Sequence, residues 1–391
     1  GVAMPTYLAD SLASPSSSAN SPADIVFGTP PPPDYRTGDF KTFVLDDFEQ
    51  RSFADGSPVI GDVFIDGFPN GITPGDDAPE ECEESVSVAD GEIDVCGREW
   101  HTVLLAGSQN GGGAYIALDV TNPACGEDCG TSDTLHEHIE NGSETLDYPK
   151  HLWTIFDRDF GNTWSTPSTG RVRLKITDEG QSKYIDRWVM FVGGGLDPAD
   201  TDPSNGVSFG NTFVVVDIST GKNIFKFHPT RPIPSGGSAL PNIADMVCDV
   251  PSRVAPVDIN SDGYTDLAYF GDTCGRMWRF DVSMPIEVSG SLSESGPTGN
   301  MDIIAEDWTG QVAFCANTSS ECLNNQNQPK VPTANLEPIY FAPTLVLDDL
   351  GRRHVIFVTG DRRDPSSRLK SGKLYNFIDD YVPAFLAGGT P

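Results

Sequence analysis

Residues 266–283 read D-L-A-Y-F-G-D-T-C-G-R-M-W-R-F-D-V-S, two short apolar runs separated by a glycine-containing turn. Each run has the length of a β-strand, and the second ends at an aspartate, Asp281. Short apolar runs joined by such a turn are typical of antiparallel sheets. The stretch therefore predicts a β-hairpin whose strands are largely buried.

The same pattern of strand, glycine turn, strand and aspartate recurs along the chain. It appears at 100–121, at 188–195 continued by 211–222, and more weakly at 354–365 continued by 372–379. A recurring sheet unit that buries its faces on its neighbours is typical of a β-propeller. A β-sandwich or barrel with accidental similarity is the alternative. We expect an all-β chain that forms a modified, distorted β-propeller with long disulfide-bearing loop insertions.

Composition divides the chain into three parts. The Ser/Pro-rich residues 1–44 predict an extended arm or linker, and the propeller domain is expected over 45–383, followed by a tail over 384–391. Loop-like insertions are expected within the domain at 68–97, 122–147 and 284–338, the last with one strand-like patch at Gln311 to Phe314.

Charge limits the partners of the chain. It has 391 residues with 57 acidic against 25 basic side chains, a formal net charge of -32, and its field would repel nucleic acid and anionic lipid. No apolar run approaches the ~18 residues of a membrane helix, so we expect no direct membrane insertion. The start lacks a basic region followed by an apolar core, which suggests a processed or partial chain.

Eight cysteines fall into four locally spaced pairs, as in a disulfide set formed in an oxidising compartment. An alternative for the second pair is a zinc site with His136 and His138, although the spacing matches no standard zinc motif. We expect neighbouring cysteines to pair: Cys82 with Cys96, Cys125 with Cys129, Cys248 with Cys274, and Cys315 with Cys322.

The segment D-I-N-S-D-G-Y-T-D at 258–266 alternates oxygen-bearing side chains and enters a strand at once. Hard oxygen donors in this arrangement suit Ca²⁺, and without a cation the crowded carboxylates would repel each other. An EF-hand is excluded because Tyr269 stands at position 12, where a glutamate is needed. The alternative is a turn that binds nothing. The expected ligands are Asp258, Asn260, Asp262, the main-chain carbonyl of Tyr264, and Asp266.

Two further features bear on this loop. A disulfide between Cys248 and Cys274 would join segments on both sides of it and is expected to restrain its ends. A second acidic cluster is weaker because prolines interrupt its alternation, and we interpret it as a solvated loop. That cluster consists of Asp197, Asp200, Asp202 and Asn205.

The sequence offers no motif for an activated nucleophile, a zinc protease or a phosphate-binding loop, so we expect a protein that is not an enzyme. One enzymatic alternative remains. D-I-S-T-G-K-N-I-F at 217–225 is similar to the D-x-x-T-G-x-x-x-W pattern of quinoprotein dehydrogenases, with Phe225 in place of tryptophan. Such repeats also occur in propellers without a cofactor.

Four segments, taken in order, resemble the C-terminal propeller domain of the PilY/PilC proteins of type IV pili. They are 51–64, 100–121, 161–167 and 258–281. The resemblance implies a surface protein at the pilus tip, exported through the periplasm. It also implies roles in pilus assembly, extension against retraction, adhesion and twitching motility, with Ca²⁺ bound by the 258–266 loop.

The implied partners are minor pilins or pilin-like subunits. The family's long N-terminal region and the strands that usually precede D-G-S-P are absent here, so the propeller is expected to be incomplete on that side. The absent segment is itself a candidate partner. A remaining alternative is an extracellular scaffold stabilised by calcium and unrelated to pili.

Overall fold

The structure is a computed structural model. It describes residues 55–66, 85–88, 91–94, 98–121, 150–157, 159–178, 181–197, 209–227, 246, 248–289, 292–293, 296–297, 302–304, 308–316, 337–362 and 372–387. Within these ranges the regular structure is all β, without a helix. The described residues accordingly contain no helix of the length and hydropathy needed to cross a membrane.

Strands of the first half form two sheets. Strand β1 (Val59–Asp66) is followed by a separate hairpin, β2 (Ser85–Val88) and β3 (Gly91–Asp94). The first sheet has the order β1-β4-β5-β6, with β4 (Arg98–Gly107), β5 (Ala114–Asp119) and β6 (Lys150–Phe156). The second sheet contains β7 (Ser168–Asp178), β8 (Gln181–Gly193), β9 (Phe213–Asp217) and β10 (Asn223–Phe227).

Two more sheets follow in chain order. The third contains β11 (Ala255–Val257), β12 (Leu267–Gly271) and β13 (Arg276–Asp281), then a strand from beyond a long insertion. The insertion holds β14 (Ile286–Ser289), β15 (Leu292–Ser293), β16 (Gly296–Pro297) and β17 (Asp302–Ile304), and β18 (Thr309–Cys315) completes the third sheet. The fourth sheet is β19 (Thr344–Leu347), β20 (Arg353–Val358) and β21 (Leu374–Asp379).

The recurring sequence pattern corresponds to one hairpin in each of the four large sheets. The opening stretch forms β12 and β13, paired antiparallel with Leu267 opposite Asp281 and Gly271 opposite Met277. The other copies form β4–β5, β8–β9 and β20–β21. The predicted antiparallel hairpins are therefore confirmed.

Each inner sheet is packed on both faces, because successive side chains of its strands point to opposite sides. Residues Val189 and Phe191 of β8 lie in a core shared by the second and third sheets, whereas Met190 and Val192 lie in a core shared with the first. Likewise Phe270 faces the second sheet and Tyr269 the fourth. Because successive side chains of a strand point to opposite faces, a continuous apolar run is the sequence of a strand between two sheets.

Sheets stacked face to face in chain order are the blade arrangement of a propeller, so the predicted all-β, propeller-like fold is confirmed. The outer faces of the two terminal sheets are only partly covered, although Ile116 and Leu118 on the outer face of β5 are buried. Other apolar side chains on these faces are exposed, including Trp100 of β4 at 61% and Leu374 of β21 at 72%. This agrees with an incomplete propeller.

Glycines allow the connections between sheets to meet closely at one rim. Gly161 N–H donates to the carbonyl of Gly194, and Gly195 N–H donates to that of Val250. Gly195 has a positive φ of 96°, and a Cβ there would lie 2.0 Å from the carbonyl oxygen of Asn162. The glycine run at 193–195 therefore allows close backbone packing.

One predicted disulfide lies within the described residues. Cys248 and Cys274 are bonded, with their Cα atoms 5.9 Å apart, which confirms this pair. Cys315 is also disulfide-bonded. Its expected partner, Cys322, and the pairs Cys82–Cys96 and Cys125–Cys129 lie outside the described ranges, as do His136 and His138 of the zinc alternative.

The insertion after β13 differs from its expected irregular structure. Strand β14 pairs in parallel with β7 of the second sheet, and β17 pairs with β14, so this sheet has six strands. The strand-like patch before Cys315 is β18, as predicted. Strands of two to four residues carry too little periodicity to be recognised in a sequence.

Candidate metal-binding loop

The 258–266 segment connects β11 to β12 in the third sheet. Val257 pairs with Leu267, so the loop closes a hairpin between adjacent strands. Positive φ angles at Ser261 (63°) and Gly263 (87°) turn the backbone tightly. Glycine adopts such angles without strain, which explains its place in the middle of the loop.

Most ligand oxygens accept hydrogen bonds from the loop's own backbone. Both carboxylate oxygens of Asp258 do so, at 2.7 Å from Ser261 N and 2.8 Å from Gly263 N. Oδ1 of Asp262 accepts from Tyr264 N at 2.9 Å. These bonds shape the loop around its acidic side chains, as Asx turns do.

Asp266 closes the loop from the start of β12. Its side chain is buried, and Oδ2 accepts from Ile259 N at 2.7 Å. Burial, together with the nearby charges of Asp262 and Asp258, raises the pKa of the Asp266 carboxyl to about 6, although backbone hydrogen bonds oppose the shift. Burial and the neighbouring carboxylates thus disfavour the charged form of Asp266.

The donor set fits Ca²⁺, because carboxylates and amide oxygens are the ligands it prefers. In the conformation described, the carboxylates are turned toward backbone N–H groups. No group of three or more His, Cys, Asp or Glu side chains among the described residues is assembled as a metal site. Calcium binding by Asp258, Asn260, Asp262, Tyr264 and Asp266 therefore stays a prediction.

Two arginines of β7 hold the loop against the second sheet. The guanidinium carbons of Arg171 and Arg173 lie 4.1 and 4.0 Å from the centre of the Tyr264 ring. Thr265 N–H donates to the carbonyl of Arg171 at 2.8 Å. Arg173 Nη2 also lies 3.4 Å from Oδ2 of Asp262, an expected metal ligand. The alternating R-V-R of residues 171–173 is the only signal of this contact in the sequence.

The disulfide does not restrain the ends of the loop as expected. Cys274 lies in the turn after β12, whereas the loop precedes β12. The five residues of β12 span about 16 Å, so the bond braces the opposite end of the hairpin. The positions of the two cysteines in the sequence, one on each side of the loop, predicted the correct disulfide. They did not predict how far the disulfide lies from the loop.

Asp197 of the second acidic cluster has a structural role. It is buried, and its Oδ2 accepts from Phe209 N at 3.3 Å. Its own N–H donates to Asp249 at 2.8 Å. The remaining members, Asp200, Asp202 and Asn205, lie outside the described residues.

The quinoprotein-like motif is a strand-closing turn. Asp217 N–H donates to the carbonyl of Lys222, Gly221 N–H donates to that of Asp217, and Gly221 has a φ of 69°. Phe225, in place of tryptophan, is buried in the core between the second and third sheets. Backbone turn geometry and packing account for this pattern without a cofactor.

Comparison with known proteins identifies relatives in one group. The type IV pilus biogenesis factor PilY1 of Pseudomonas aeruginosa is 24% identical over 354 residues, which cover 87% of this chain. A PilY1 homolog of Xylella fastidiosa is 21% identical over 237 residues. No family model matches. The chain spans 22% of the length of that P. aeruginosa relative.

A solved structure is also similar. The C-terminal domain of P. aeruginosa PilY1 gives a TM-score of 0.45 at 23% identity, covering 86% of this chain and 51% of that one. The curated relatives carry the name of the family that the ordered sequence motifs resemble, and the resemblance to PilY proteins is confirmed.

Proposed function

We propose that this chain is the propeller region of a non-enzymatic, calcium-binding type IV pilus protein. Its roles are pilus assembly, the balance of extension and retraction, adhesion and twitching motility. The observation that carries this function is the similarity to a type IV pilus biogenesis factor over 87% of the chain. The ordered motifs that resemble the family support it.

The site of action is the cell surface at the pilus tip, reached through the periplasm, and the partners are minor pilins or pilin-like subunits. The Cys248–Cys274 disulfide supports an oxidising compartment. The strong negative charge supports protein rather than nucleic acid partners.

Co-purification of the chain from its native source tests the pilus function. Pilin-like subunits are expected to accompany the full chain and to be lost when the propeller is deleted. Their absence under native conditions would contradict the pilus function and favour the extracellular scaffold. An absorbance spectrum of a bound quinone would instead favour the dehydrogenase.

Calcium, when bound, would neutralise the carboxylates of the 258–266 loop and fix its conformation. A ligand at 100 times its dissociation constant stabilises the folded state by about 2.7 kcal/mol. We expect a gain of this size for the wild-type chain in saturating calcium relative to chelator. Differential scanning calorimetry with both buffers measures it.

Substitution of a ligand tests the assignment to this loop. Asp266→Asn should remove most of the calcium-dependent gain, because it removes a ligand charge. Asp380→Asn removes one charge from an exposed side chain outside the loop and should retain the gain. If Asp266→Asn retains the full gain, calcium binds elsewhere, and if the wild-type chain shows none, the calcium part of the function is wrong.

A further inference from the structure

The contact between Arg173 and Asp262 joins β7 to an expected calcium ligand. Oδ2 of Asp262 accepts hydrogen bonds from two side chains, Asn260 Nδ2 at 2.9 Å and Arg173 Nη2 at 3.4 Å. The Arg173 and Asp262 side chains are 13% and 26% exposed, so solvent screens this ion pair only in part. The positively charged Arg173 of the second sheet therefore contacts Asp262, an expected calcium ligand.

A calcium ion bound to Asp262 would lie about 2.3–2.6 Å from one of its oxygens. The Arg173 guanidinium would then be within a few ångströms of a divalent cation, and like charges at that range repel. Arg173 and the calcium ion would both interact with the Asp262 carboxylate. Binding of one therefore weakens the binding of the other.

We infer that Arg173 is a built-in competitor of the divalent cation for the 258–266 loop. Without metal, it neutralises Asp262 and ties the loop to β7. With metal, it gives up Asp262 and keeps its contacts with the rings of Tyr264 and Phe385, which lie 4.0 and 5.0 Å from its guanidinium carbon. The inference rests on the calcium loop of the proposed function.

This role links calcium occupancy to the contact between two sheets. Arg173 belongs to the second sheet and Asp262 to the loop of the third. Metal binding removes one of the interactions between them and leaves the Thr265–Arg171 backbone hydrogen bond, which is 2.8 Å long. Arg173 thereby sets the calcium concentration at which the loop fills.

Arg171 provides a matched control on the same strand. It contacts the same tyrosine ring at 4.1 Å, but its acidic partner is Asp186 of the second sheet, at 3.9 Å. Arg171→Gln and Arg173→Gln therefore remove the same charge and the same kind of ring contact. They differ in whether the carboxylate of an expected calcium ligand loses its charge partner.

Isothermal titration of the full chain with calcium chloride tests this role. Arg173→Gln should bind calcium about threefold to tenfold more tightly than wild type, and Arg171→Gln should differ from wild type by less than about twofold. In an Asp262→Asn background, Arg173→Gln should no longer tighten binding, because the shared carboxylate is gone. Arg173→Met, which keeps a long side chain beside Tyr264, replaces Arg173→Gln if that variant does not fold.

A measurement on the unmodified chain gives a second readout. The Nε–H resonance of Arg173 should shift on addition of calcium more than that of Arg171. Calcium binding with an unchanged or weaker affinity in the Arg173 variant, or with no shift of its resonance, would overturn the role of Arg173 and leave the calcium loop standing. No heat of binding in any variant would instead show that the proposed calcium site is wrong.

Discussion

In each of the four large sheets, the second strand of the repeated hairpin ends at an aspartate. In each case, a carboxylate oxygen accepts the N–H of the residue two positions later, which fixes the turn out of the strand. The recurrence is visible in the sequence, but the other partners of these carboxylates are not, since Asp379 pairs with Arg279, 100 positions away in another sheet. The four residues are Asp119, Asp217, Asp281 and Asp379.

Asp379 should make stability depend on pH. Burial opposes ionisation, but hydrogen bonds and charge from Arg279 and the hydroxyl of Tyr269 together hold the pKa of Asp379 below its usual value. A carboxyl with a lowered pKa stabilises the folded state above its unfolded pKa of about 3.9 and loses that contribution as the pH falls through the folded pKa.

Asp379→Asn should therefore lower the free energy of unfolding at pH 7 by about 3 kcal/mol, since it leaves a buried arginine without its charge partner. The difference from wild type should shrink as the pH falls below about 4. Urea denaturation at pH 7 and at a pH below about 4 measures this difference in the free energy of unfolding. The neighbouring, exposed Asp380→Asn serves as the control, and an equal loss in both variants would contradict the argument.

At the scale of elements, the 258–266 loop could be predicted from the sequence, whereas its contact with Arg173 could not. Alternating oxygens in nine consecutive residues indicated the loop, because all its expected ligands are local. Arg173 could not be assigned, since it lies 89 positions from Asp262 and reaches it only through the packing of two sheets. A sequence shows which ligand side chains lie close together along the chain. Contacts between two sheets can be assigned only when the strand register of each sheet is known.

The disulfide yields a prediction for the third sheet. It closes a sequence separation of 26 residues, and loss of such a crosslink costs about 3.5 kcal/mol in the chain-entropy model. The double variant Cys248→Ala, Cys274→Ala should lose about that much stability in urea.

Its calcium affinity should stay within about twofold of wild type, since the bond lies at the end of β12 opposite the loop. Titration of the double variant with calcium checks this. A large loss of affinity would show that the disulfide organises the loop after all.

At the scale of the whole molecule, the repeated hairpins indicated the stacked sheets because inner strands are apolar on both faces. The continuous runs in β9 and β12 are examples. The crossing of β14 to the second sheet was not predictable, since its short sequence does not specify which edge it joins. The open faces of the terminal sheets also required the structure, because exposed and buried apolar residues look alike in a sequence.

The rim where the sheets meet should tolerate little added volume. Gly195→Ala would place a Cβ against the backbone of Asn162 and force a positive φ on alanine, so we expect a loss of about 3 kcal/mol or more. Gly351 also has a positive φ (73°), but a Cβ there meets nothing within 4 Å, and Gly351→Ala should cost only about 1 kcal/mol. Chemical denaturation compares the two, and similar losses would contradict the importance of close packing at the rim.

The pairing of β14 with β7 bears on how the molecule would respond to mechanical load. The third sheet's own insertion is hydrogen-bonded into the second sheet, so these two cannot be pulled apart without breaking that ladder. The fourth sheet has three strands and gives no strand to another sheet in the described part of the chain. The first sheet likewise gives none in that part, so under tension between the chain ends we expect the two terminal sheets to separate before the interlocked central pair.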